Sequence, residues 1–88
     1  MKYFHINDLD DLTAQAKKNP RLRQHSNIHK SYEENCQRLF NALEPSTYIR
    51  PHRHYSDPRD ELLIALRGLM VLVTFDDQGA VKDIFRFG

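Results

Sequence analysis

Apolar and polar positions change their rhythm along the chain. Between residues 7 and 18, Leu9, Leu12 and Ala16 recur at helical spacing with polar residues between them. That pattern predicts an amphipathic helix. Asn7 or Asp8 is placed to cap it, and Asp8, Asp10 and Asp11 bring negative charge to its first turn. Lys17 and Lys18 suit its C-terminal end, and Asn19-Pro20 stops it, because a residue before proline avoids the helical region. Residues 31–43 admit two readings. Ser31 with Glu34 forms a capping-box pattern, and Cys36, Leu39, Phe40 and Leu43 fit a helical face. Residues 37–43 equally fit a strand that ends at Glu44-Pro45-Ser46. Beyond Pro45 the rhythm is that of strands. Thr47, Tyr48 and Ile49 open a strand over 47–54, and a polar turn follows over 55–60. Two apolar runs, 61–67 and 69–75, meet at Arg67-Gly68. Asp76-Asp77-Gln78-Gly79 predicts a hairpin turn, and 80–87 returns as a strand. Strand and turn alternating at short spacing predict an antiparallel sheet, sandwich or barrel fragment.

Eighty-eight residues make this one small domain. Its parts are a helical segment over 1–20, a basic loop or turn over 21–36 and strands over 37–88. A chain of this length buries only about 60–65% of its unfolded surface. Charged residues at 28% and hydrophobic residues at 40% fit a folded domain. A net charge of +1 supplies no global field for nucleic acid or membrane, so neither is expected as a partner. The apolar stretch 62–75 is too short to span a bilayer, and the N-terminus lacks the apolar core of a signal peptide. The single cysteine, Cys36, excludes an intramolecular disulfide and a cysteine-rich zinc site, so a reducing cytoplasm is expected. Cys36 itself reads best as a small buried hydrophobe. Residues 17–30 carry five basic residues, two histidines and no acid. They read as a solvated surface loop, with an anion-binding or nucleic-acid arm as the sharper alternative.

All five histidines lie within the first 54 positions. The densest chemistry is Pro51-His52-Arg53-His54 followed by Glu61. On a strand, His52 and His54 would share one face, and the turn over 55–60 would bring Glu61 back beside them. Two imidazoles and a carboxylate form a facial set for a divalent transition metal, with positions left for water or substrate. Two surface histidines and an unrelated glutamate are the plain alternative. Tyr48 and Arg50 share the parity of His52 and His54, so both are candidates for substrate binding. A core tyrosine and a rim salt bridge are their plain alternatives. His25 and His29 read as surface loop histidines, and Arg53 points away from the metal face.

The spacing Ser46-X5-His52-X-His54-X6-Glu61-X6-Gly68 resembles the first motif of the cupins, G-X5-H-X-H-X3,4-E-X6-G. More narrowly, QRLFNALEPSTYIRPHRH, ELLIALRG and VTFDDQGAV are similar to the WbuC family of cupin-fold metalloproteins within the RmlC-like superfamily. Arg23 and Asn27-Ile28-His29 resemble that family's N-X-H segment. The resemblance runs from about Arg21 to Phe87. It implies a mainly β fold, a partial cupin antiparallel β-barrel or sandwich with a short N-terminal helix, in which 37–43 is strand. It implies His52, His54 and Glu61 as metal ligands for zinc, iron, manganese or nickel, and Gly68 as the turn that closes the motif. It also implies a link to bacterial O-antigen and surface-polysaccharide gene clusters. Ser46 stands where the motif has glycine, and the spacing from His54 to Glu61 is longer than the general one. The second cupin motif is not found before Gly88, so the barrel is expected to be truncated, its metal weakly held and its open faces covered in a homodimer.

Two functions follow as expectations. One is a metal-binding cupin that binds or acts on a carbohydrate precursor, such as a sugar or sugar nucleotide. The other is a non-catalytic, degenerate cupin serving as a binding or oligomerisation module.

Overall fold

The computed structural model describes residues 2–52 and 60–88. They form one helix and four strands, in the order α1 (Ile6–Lys18), β1 (Arg23–Asn27), β2 (Leu39–Leu43), β3 (Met70–Phe75) and β4 (Val81–Phe87). The strands make two separate antiparallel sheets, β1–β2 and β3–β4. The fold is therefore mainly β with one short helix, and no closed barrel is present among the described residues. No helix among them is long and apolar enough to cross a membrane. The chain divides into two compact units, residues 1–49 and Arg50–Gly88.

The first unit is built around α1. Its predicted span holds, but its cap is His5 rather than Asn7 or Asp8. The His5 Nδ1 accepts from the Asn7 N–H at 3.2 Å, and Asp8 Oδ2 accepts from the His5 N–H at 2.7 Å. That reciprocal pair satisfies donors the first turn otherwise leaves open. At the other end the Asn19 N–H donates to the Gln15 and Ala16 carbonyls. The Asn19 side chain then accepts from the Arg21 N–H at 2.8 Å and fixes the exit turn. Leu12 and Ala16, one helical turn apart, are the buried apolar residues of α1. They face the β1–β2 sheet, which packs against the helix through both strands.

The strand β1 lies inside the segment read as a basic loop. Its sequence, Arg-Gln-His-Ser-Asn, has no apolar residue and no alternation. It is a strand because β2 pairs with it residue for residue, from Arg23 opposite Leu43 to Asn27 opposite Leu39. Partner strand and helix override a weak local preference. The two readings of 31–43 resolve as turns over 32–36 followed by β2. Phe4 meets Phe40 of β2 edge to face, with ring centres 4.9 Å apart.

The second unit holds the hairpin. Asp76 organises its turn: the side chain accepts from the N–H groups of Gln78 and Ala80, both at 2.9 Å. Gly79 takes φ +84° there, a conformation that glycine adopts without cost. Pairing runs from Met70 opposite Phe87 to Phe75 opposite Val81, with a bulge near the turn. The predicted strands over 47–54 and 61–67 do not appear among the described residues. Residues 61–67 are largely apolar and 47–49 favour strand, but neither segment pairs with a described strand.

Candidate functional site

Two of the proposed metal ligands, His52 and Glu61, fall in the second unit, on either side of residues 53–59. His54 lies outside the described residues, as does Arg53. His52 is exposed, and its Nδ1 is 3.0 Å from the Arg50 carbonyl. A carbonyl oxygen can only accept, so Nδ1 is the donor in this contact. Backbone carbonyls commonly orient metal-binding imidazoles through such a contact. Glu61 is also exposed and precedes the apolar run 62–66. Among the described residues, no group of three histidine, cysteine, aspartate or glutamate side chains stands together.

Tyr48 and Arg50 do not share a strand, because 47–52 is not strand. Tyr48 lies next to the last residue of the first unit, is 74% exposed, and its carbonyl accepts from the Arg23 guanidinium at 2.8 Å. Arg50 opens the second unit and is exposed; its carbonyl is the one that holds His52. Gly68 has φ +73°, as a tight turn between 67 and 69 needs.

Two expectations about side chains are corrected. Cys36 is exposed, not buried, because 32–36 forms turns on the surface rather than a helical face. His29 is buried, not a surface loop histidine, at 7% exposure. The chain leaves the sheet after Ile28 and returns at Arg38, and His29 closes that excursion. The Arg38 carbonyl accepts from the Ile28 N–H at 2.8 Å and lies 2.9 Å from His29 Nδ1. The Arg38 N–H lies 3.2 Å from the same nitrogen. A neutral imidazole makes one of these two ring bonds at a time. The shorter makes Nδ1 the donor and leaves the buried Nε2, which has no hydrogen-bond partner, as a lone pair. That is the less costly orphan, since a buried N–H without an acceptor is the rarer defect. The ring also packs on Tyr32, with centres 5.7 Å apart.

A groove of about 440 Å³ runs between α1 and the sheet of the first unit. Tyr3, Phe4 and Phe40 line it on one side and Asp8, Asp11 and His25 contribute polar groups. It contains none of the proposed ligands, and its carboxylates are exposed, Asp8 serving as part of the helix cap.

Comparison with known proteins adds one result. The chain belongs to the family described as Domain of unknown function (DUF6016), which matches residues 4–87. The match spans both units, so the family embraces the helix, both sheets and the segment that holds His52, His54 and Glu61. Its description names no activity, ligand or fold, and makes no connection to the WbuC-like cupins. No curated protein and no solved structure matches the chain.

Proposed function

We propose that this protein is a cupin-type metal-binding protein in which His52, His54 and Glu61 hold a divalent transition metal. We further propose that it binds or acts on a carbohydrate precursor of surface polysaccharide. One observation carries the metal reading: His52 Nδ1 lies 3.0 Å from the Arg50 carbonyl, the kind of contact that orients metal-binding imidazoles. The spacing of the three residues and the likeness to the first cupin motif support it. A bound metal would supply a Lewis acid and an anchor for substrate oxygens. Arg50, exposed beside the ligand segment, is suited to a sugar carboxylate or phosphate. The Glu61 carboxylate and the two imidazoles would leave coordination positions for substrate.

Elemental analysis of protein purified without a polyhistidine tag tests the metal. The native chain should carry one divalent transition metal per copy. A His52→Ala/His54→Ala variant should carry none while keeping the same far-UV spectrum. Equal and negligible metal in both would overturn the reading. A second reading, a non-catalytic binding or assembly module, is favoured by the sheet of the second unit, which has only two strands among the described residues. Metal-dependent conversion of a nucleotide sugar would defeat that reading, and a stable assembly without turnover would support it.

A further inference from the structure

The β3–β4 hairpin is short of cover. None of the described residues in the second unit is buried, and apolar side chains project from both faces of the hairpin. On one face the register sets Met70 against Phe87 and Leu72 against Phe85. On the other it sets Val73 against Ile84 and Val71 against Arg86. A lone two-stranded hairpin is marginally stable in water, and a third or fourth strand with an apolar face is what makes such a unit stand.

The two edges of this hairpin differ. β4 carries Lys82, Asp83 and Arg86 and the strand bends at a bulge beside its turn. Charges and bulges are the usual devices that stop a sheet edge from pairing further. β3 has neither in its first five residues. From Leu69 to Phe75 there is no charged residue, and no third strand pairs with β3 among the described residues. An unguarded, uncharged edge is a template for strand addition.

We propose that β3 pairs with β3 of a second copy, antiparallel about a two-fold axis at Leu72, to give the four-stranded sheet β4-β3-β3-β4. The strand is self-complementary in that register. A two-fold axis perpendicular to the sheet keeps each residue on its own face, so Val71 stands opposite the partner's Val73, and Met70 opposite the partner's Thr74. No charges meet across the axis, because residues 69–75 carry none. Met70, Leu72, Phe85 and Phe87 of both copies then line one continuous apolar face. The charged, bulged β4 strands become the two outer edges, which closes the assembly at two copies instead of letting it grow. This inference is independent of the metal reading, since none of its residues belongs to the proposed ligand set.

A paired charge test reads both the edge and the register. In V71E/V73E, the new carboxylate at position 71 faces the one at position 73 of the other copy, so two like-charge pairs form across the axis. In V71E/V73K, the carboxylate at position 71 faces an ammonium at position 73 of the other copy, so the same contacts become attractive. The carboxylate at position 71 sits opposite Arg86 within its own hairpin in both variants, so neither is burdened there. Light scattering coupled to gel filtration at micromolar concentration should give twice the 10.4 kDa chain mass for the native protein and for V71E/V73K. It should give the single-chain mass for V71E/V73E. The shared charge at position 71 makes V71E/V73K the control for folding. A monomeric native protein overturns the proposal, as does a native assembly larger than two. It is equally overturned if both variants are dimers or if both are monomers.

Discussion

Each unit of this protein contains one two-stranded antiparallel sheet, yet the sheets are stabilised differently. In the first, α1 lays Leu12 and Ala16 against β1 and β2, and a sheet with one wholly polar strand persists because a helix covers it. In the second, β3 and β4 are far more apolar and better suited to strands, yet none of the unit's described residues is buried. Strand propensity and cover are thus separable. The polar strand has the cover, and the apolar strands have the propensity. A small unit is held by the few side chains that lose contact with water, because burial of a full leucine side chain is worth about 1.5–3 kcal/mol.

The largest expected effect tests that contrast. Leu12→Ala removes the main apolar contact between α1 and the sheet, where Leu12 is 7% exposed. It should cost about 2–4 kcal/mol, a large share of what so small a core supplies. Loss of helical signal at lower urea concentration would show it. Leu62→Ala, at a residue 84% exposed in the second unit, should change stability by no more than about 0.5 kcal/mol. Equal costs at the two positions would mean that the second unit has a covered core and would end the contrast.

The elements that were legible in the sequence are those whose pattern is complete within themselves. α1 shows helical spacing from Leu9 to Ala16, and the β3–β4 hairpin shows two β-rich runs around Asp76 and Gly79. What was not legible depends on partners far along the chain. β1 has five residues with no apolar member and exists only opposite β2. The N-cap was missed because histidine is not a usual capping residue, and its bond to Asn7 shows only in the backbone geometry. Strands expected over 47–54 and 61–67 are not strands among the described residues, because local residue preference does not supply a neighbouring ladder. The candidate site was legible as a spacing, His52, His54 and Glu61, but a spacing does not fix where side chains meet. The contact between His52 Nδ1 and the Arg50 carbonyl is the part that only the structure gives.

A middle effect is expected at His29, the polar residue buried in the first unit. His29→Ala removes the ring from Tyr32 and the tie to Arg38, and should cost about 1–3 kcal/mol. His29→Phe keeps the ring against Tyr32 and deletes the partnerless Nε2, while Arg38 still accepts from Ile28. It should therefore cost less than His29→Ala, as read by urea unfolding. If phenylalanine costs more, the ring nitrogens hold the excursion from 29 to 38 more firmly than the packing does.

The smallest of the three destabilising effects belongs to the hairpin turn. A Cβ at Gly79 would meet nothing within 4 Å, so Gly79→Ala meets only the backbone penalty of φ +84°. That penalty is about 1–2 kcal/mol for an L-residue in the left-handed region, and less for asparagine, which visits it more readily. The expected order of hairpin stability is therefore Gly79, then Gly79→Asn, then Gly79→Ala. Amide exchange at Val73 and Ile84, which pair across β3 and β4, reads that order directly. Exchange at Leu12 and Ala16 should stay unchanged in the same samples, because they belong to the other unit. If their protection falls together with that of the hairpin, the two units unfold as one, and the covered sheet contributes to the uncovered one.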